Sequence, residues 1–306
     1  MSAAPAADDD GVTPTLAALV ALRASAQGRR SARKGRHGAA GPAPSPLRGR
    51  GREYAESREY AVGDDARHVD WRLTARSGRP HTKLFQAERE RLTLIVADTA
   101  PSLYFGTRVR FKSVQAARAG AVAAWSGVRD GDRLAALRGS LYETPVPPAS
   151  GARGALRVLD ALVRWYGSPP PDDAGLAVAL DQAQRLLRPG SRLLVLADPA
   201  SIATLPPVRW TALAAHHDVH LLLLTDPLEA DPPRAALPFQ VGGPSGPKRV
   251  TLELGDAGQR QRWLQRFAAP VADALAALPA RGVHVQALST ISPSDSWLSG
   301  FDGRRR

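Results

Sequence analysis

Three short apolar runs, each closed by an aspartate, constrain this chain more than anything else in it. LTLIVA at 92–97 precedes Asp98, RLLVLA at 192–197 precedes Asp198, and VHLLLL at 219–224 leads through Thr225 to Asp226. None alternates polar with apolar residues, so each reads as a strand buried on both faces. Helical patterns separate them. The expected fold is α/β, a doubly wound and mainly parallel sheet covered by helices. In such sheets the carboxyl ends of the central strands are where ligands and metals are held, so Asp98 and Asp198 become candidate site residues.

The connecting segments fill in the pattern. Phe111, Val114, Ala117, Ala121, Val122 and Trp125 form a helical stripe ending at Ser126-Gly127. A strand at 133–137 follows, with 141–144 as its edge neighbour and PVPPASG as a loop. Leu156, Leu159, Val163 and Trp165 mark a helix stopping at Gly167. Leu176, Leu180, Ala183 and Leu187 mark another, capped by Asp172 or Asp173. A helix is expected over 207–217, a β-hairpin at about 237–254, and a helix facing inward through Trp263, Phe267, Val271, Leu275 and Leu278. A strand over 283–288 completes the sheet, and the tail from Pro293 is expected on the surface.

The chain has no cysteine, which excludes disulfides and thiolate zinc sites. Its net charge of +12 suits an acidic partner or nucleic acid. Much of that excess is local, in a basic stretch at 23–36 and a tail at 304–306, and arginine-rich, alanine-rich composition also fits a high-GC coding background. Specific nucleic-acid binding is therefore not expected. No apolar run is long enough to span a bilayer, and the acidic opening MSAAPAADDDGV lacks the features of a signal peptide. The expected location is the cytoplasm, or the periphery of a membrane complex.

Residues 1–48 read as a disordered or partly helical basic segment, with a short helix over 16–26; 49–90 read as a small charged subdomain, 91–298 as the α/β domain with its hairpin, and 299–306 as a basic tail. In the charged subdomain, Gly63-Asp64-Asp65 is a turn, 67–74 a helical turn containing Asp70 and Trp71, and 82–85 an edge strand. Arg58, Arg67, Arg72 and Arg76 are expected to pair with Glu53, Glu59, Asp64, Asp65 and Asp70, as a structural network or a partner surface.

Catalytic patterns are scarce. There is no phosphate-binding glycine loop followed by lysine, and no G-x-S-x-G elbow around Ser102. His216, His217, Asp218 and His220 straddle a strand boundary and do not read as a metal site. Asp98, Ser102 and Asp198 could offer oxygen ligands to Mg²⁺ or Mn²⁺. Equally, strand-end aspartates accept backbone amides and cap the loops that follow them.

The stretch from Gly51 to Asp98 resembles the signature of the bacterial DUF58 proteins. Glu53, Arg58, Tyr60, Gly63, Asp64, Arg67, Asp70, Trp71, Thr74, Ala75, Arg76 and Glu88-Arg89-Glu90 sit as in that signature, and 216–233 matches a second family stretch. The resemblance covers about 47–298. It implies a core similar to a von Willebrand factor A domain, and association with a MoxR-type AAA+ ATPase. The metal-ion-dependent adhesion site of such cores would fall on Asp98, Ala100, Ser102, Ala174 and Asp198, with alanine at two ligand positions. A bound Mg²⁺ or Mn²⁺ is therefore disfavoured, and no other cofactor is implied. The expected function is a noncatalytic adaptor or chaperone-like factor working with that ATPase on a client protein. The alternatives are a basic nucleic-acid-binding module and a divalent-metal hydrolase using Asp98 and Asp198.

Overall fold

The computed structural model describes residues 11–28, 48–61, 64–86, 91–241, 246 and 248–302. Gly63, the 88–90 run, most of the basic connector and the 304–306 tail lie outside them. Two short helices come first, α1 (Leu16–Ala21) and α2 (Arg23–Gly28), where one was expected. The Thr15 hydroxyl caps α1 by accepting from the Ala18 amide. Leu19 and Ala26 are fully buried in the main core, and the Leu19 carbonyl accepts from the Trp125 indole at 3.1 Å. This part of the chain is packed against the α/β body.

A small antiparallel unit follows. β1 (Arg48–Glu59) pairs with β2 (His81–Gln86), and α3 (Trp71–Ser77) lies between them in sequence. Asp70 caps α3 through the Leu73 amide, and Gly78 at φ 71 closes it, a conformation open to glycine without strain. The long strand β1 was not expected. Its charged, glycine-interrupted sequence has no clean alternation, and its register with β2 is broken by two irregularities.

The main body then runs as β3 (Leu92–Ala97), α4 (Lys112–Asp130), β4 (Arg133–Arg138), β5 (Val146–Ser150), α5 (Gly151–Gly167), α6 (Gly175–Leu186) and β6 (Arg192–Ala197). It continues through α7 (Pro199–Ala203), α8 (Pro207–Ala214), β7 (Asp218–Thr225), α9 (Pro227–Ala230), the β8 (Ala236–Val241) and β9 (Lys248–Glu253) hairpin, α10 (Ala257–Ala277), β10 (His284–Ser289) and α11 (Leu298–Asp302). The central sheet has the order β10-β7-β6-β3-β4-β5, parallel throughout except for β5. Alternate residues of β3 serve opposite faces. Leu94 and Val96 join the layer containing Leu180 and Trp210, whereas Ile95 joins the layer containing α4 and α5. The chain is thus α/β with a mixed, mostly parallel sheet.

Several expectations need correction. The edge strand is 146–150, not 141–144. Pro147 and Pro148 disguise it, yet proline is tolerated on an edge that needs no further partner. The α4 helix runs past Gly127 to Asp130, because Gly127 is an interior packing position: a Cβ there would lie 2.5 Å from Leu134 Cδ2. Its periodic stripe understated its burial, since α4 is covered on almost every side and carries small residues where α5 packs. Leu156 and Leu275 are exposed rather than inward. The 207–217 helix ends at Ala214 and is preceded by α7. Finally, the C-terminal segment is not a surface tail. Trp297, Leu298 and Phe301 are buried, and Asp302 accepts from Ser126 and Arg129 of α4 at 3.0 and 2.8 Å.

Candidate functional site at the carboxyl edge of the sheet

The parallel pairing of β3 with β6 puts Asp98 and Asp198 side by side at the strand ends. Asp98 is 1% exposed. Its Oδ1 accepts from the Ala100 amide at 3.1 Å and its Oδ2 from the Asp198 amide at 3.0 Å. Burial pushes its carboxyl up to about 6; hydrogen bonds from the Ser201 side chain and the two amides oppose that rise, and the Asp198 charge adds to it. Asp198 caps α7 through the Ala200 amide at 2.8 Å. Its other oxygen accepts from Lys112 Nζ at 2.8 Å.

Lys112 is the residue that sequence reasoning missed. It begins α4 and is 1% exposed, and its ammonium also reaches Glu229 Oε1 at 2.5 Å. Burial lowers its proton affinity, but the charges of Asp198 and Glu229 outweigh this and leave it raised overall. Glu229 in turn completes a capping box at α9, its Oε2 accepting from the Asp226 amide at 2.9 Å. Asp226, the third strand-end aspartate, accepts from the hydroxyls of Thr107 at 2.6 Å and Thr290 at 2.7 Å. The only sequence signal was a lysine at the head of a helix that is otherwise nearly all small or apolar.

The other positions on which an adhesion site was expected do not all stay with Asp98. Ala100 stays beside Asp98 as an amide donor. Ala174 lies on a loop held to the end of β3 by the Thr99 hydroxyl, which donates to Asp173 at 2.8 Å. Ser102 is exposed and turns toward a neighbouring cleft. The donor set does not suit a divalent cation. Both oxygens of Asp98 and both of Asp198 are engaged, two positions are alanine, and an ammonium already supplies positive charge between Asp198 and Glu229. Asp172, offered as a helix cap, instead holds Arg138 and Ser140, while Asp173 accepts from the first amide of α6 at 3.3 Å.

The cleft beside Ser102 has a volume of about 600 Å³ and lies between the loop after β3, the hairpin and α10. Alternation along the hairpin aims Phe239 and Leu252 at α10. The ring of Phe239 lies 5.3 Å from that of Trp263, which lies 4.4 Å from that of Phe267. Arg262 and Arg266 line it as exposed side chains on α10.

The signature unit is only partly the ion-paired network expected. Arg58 pairs with Asp64 at 2.7 Å and Arg67 with Asp65 at 2.9 Å. Tyr60 donates to the Asp64 carbonyl at 2.8 Å, and the Ser57 hydroxyl to Asp70 at 2.9 Å. Glu53 stands opposite Gln86 in the β1–β2 ladder. Arg72 and Arg76, however, are exposed and enter no ion pair among the described residues, and Trp71 is 72% exposed. The network stops at Asp70, and α3 presents its aromatic and basic side chains outward.

On the opposite edge of the sheet, the parallel pairing of β10 with β7 sets His284 beside His220, with rings 4.8 Å apart and stacked. His220 Nε2 lies 2.9 Å from Asp218 Oδ1. Ligand atoms of Asp218, His220 and His284 fall within 4.8 Å of one another, but Arg192 Nε stands 3.5 Å from Asp218 and opposes a cation there. His216 and His217 take no part in this group.

Fold and site together define a mainly parallel α/β domain that carries an antiparallel signature unit and whose strand-end carboxylates are engaged by amides, hydroxyls and Lys112. The family model for DUF58, described as a protein of unknown function, matches residues 56–272, and the chain belongs to that family. It is 33% identical over 190 residues to the uncharacterized protein Rv1480 of Mycobacterium tuberculosis, and equally to the uncharacterized protein Mb1516 of Mycobacterium bovis. That similarity covers 60% of this chain and 58% of each relative's length. Among the described residues no helix is long and apolar enough to cross a membrane.

Proposed function

We propose that the protein is a noncatalytic adaptor that binds a MoxR-type AAA+ ATPase and a client protein, through a von Willebrand factor A-like core that works without a metal. The observation that carries this reading is the exposure of Trp71 beside Arg72 and Arg76, which enter no ion pair among the described residues. A tryptophan left 72% exposed has no role in its own core, and tryptophan with arginine is the composition of interface anchors. The carboxylate arrangement points the same way. Asp98 and Asp198 are tied to amides and to Lys112, so neither is poised to activate water as a hydrolase would require. The ATPase partner rests on the family resemblance.

In this reading α3 meets an acidic face of the ATPase, with Arg72 and Arg76 steering the encounter and Trp71 filling a pocket on the partner. The test is capture from a lysate of the source organism on immobilised protein, with and without chelator, using wild type, Trp71→Ala and Arg72→Glu/Arg76→Glu. An AAA+ ATPase should be retained by wild type regardless of chelator and lost from both variants. Recovery of nucleic acid in its place, released by moderate salt, would favour the basic nucleic-acid-binding alternative.

A further inference from the structure

The cleft beside Ser102 has a shape and lining that the signature unit does not share. Its volume of about 600 Å³ is in the range of sites that enclose one large side chain or a small ligand. Its walls are aromatic and aliphatic, with Phe239, Leu252, Trp263 and Phe267 contributing. The Trp263 indole is held in place by donating to the Leu228 carbonyl at 3.1 Å, so that wall is fixed before anything binds. Among the charged lining side chains, Glu229 is nearly buried and already bonded to Lys112 and to the Asp226 amide. Arg262 and Arg266 are exposed, and neither enters an ion pair among the described residues. The accessible charge is therefore positive.

We propose that this cleft is a second binding site, taking an acidic peptide segment of the client with one bulky apolar side chain inserted among the aromatic rings and its carboxylates on Arg262 and Arg266. This rests on the adaptor reading and gives it a client site separate from the α3 surface. Charge complementarity selects an acidic segment over a basic one, and guanidinium groups form charge-assisted, two-pronged bonds with carboxylates. The aromatic walls select a phenylalanine or leucine over a polar side chain. Binding at Trp71 and binding in the cleft should be independent, since they lie on different units of the chain.

Fluorescence anisotropy with a labelled peptide EDLFDE tests this, using the full chain. The expected result is saturable binding, with KRLFRK and EDSSDE binding at least about tenfold more weakly. Arg262→Glu/Arg266→Glu, on exposed positions, should weaken EDLFDE at least about tenfold. Trp71→Ala should leave the peptide affinity unchanged. Equal binding of all three peptides, full affinity in the Arg262/Arg266 variant, or loss of affinity in Trp71→Ala would overturn the proposal. Saturable binding of laurate with none of EDLFDE would also overturn it, assigning the cleft to a small amphipathic acid. Failure here with ATPase capture intact refutes the client site alone, whereas loss of capture refutes the adaptor reading itself.

Discussion

The Lys112 ammonium lies 2.8 Å from Asp198 Oδ2 and 2.5 Å from Glu229 Oε1, with all three side chains almost excluded from water. A lysine from the start of α4 thus holds together the ends of β6 and the α9 turn. Removing one partner of such a buried group leaves uncompensated charge, which is more damaging than losing a surface pair. Lys112→Met should therefore lower stability by about 3–5 kcal/mol, measured by urea unfolding at neutral pH. A loss below about 1 kcal/mol would show that the triad does not hold the edge together.

Asp98 should carry a recognisable pH signature. Its carboxyl is raised from the ordinary 3.8 to about 6, chiefly by burial. A raised value means that its stabilising contribution is complete below about pH 3.8 and lost as pH rises through about 6. Asp98→Asn stays neutral over that window. Relative to wild type, the variant's stability should climb between about pH 4 and pH 7 by on the order of 3 kcal/mol. Urea unfolding at a series of pH values measures this, and a flat difference would mean that the buried carboxylate keeps an ordinary proton affinity.

His220 should titrate in the other sense. Burial lowers its proton affinity below the ordinary 6.5; Asp218 opposes that, and Arg192 and His284 reinforce it. A depressed histidine value places its stability contribution above about pH 6.5 and removes it as pH falls through the folded value. NMR titration of the His220 ring should give a midpoint below 6.5. A midpoint above it would mean that the Asp218 carboxylate dominates, and would strengthen the Asp218, His220 and His284 group as a charged cluster.

Trp71 separates stability from binding. Its side chain is outside the core, so Trp71→Ala should change unfolding stability by no more than about 0.5 kcal/mol. Thermal or urea unfolding beside the capture assay checks both halves. A large stability loss would make α3 a structural brace.

What could be read in the sequence, and what could not, follows from the range of each interaction. The strands ending on Asp98, Asp198 and Asp226 were legible because double-sided burial writes itself as an apolar run. The charged signature was legible as a family resemblance. Lys112 was not, because a single lysine at a helix start ordinarily reads as solvated, and its two partners lie 86 and 117 residues away. β5 was hidden by its prolines and β1 by its charges, since both take their strand character from a neighbour rather than from their own pattern. His284 joined His220 only through the β10–β7 register. The outward turn of Trp71 was equally unreadable, for an aromatic among charges suggests burial until its helix is placed.

The most direct measurement is a binding titration of the purified chain against a purified MoxR-type AAA+ ATPase, by biolayer interferometry with and without chelator. The expected result is saturable, chelator-insensitive binding that weakens at least about tenfold in Trp71→Ala and in Arg72→Glu/Arg76→Glu. No binding by the wild-type chain, or binding untouched by both variants, would contradict it.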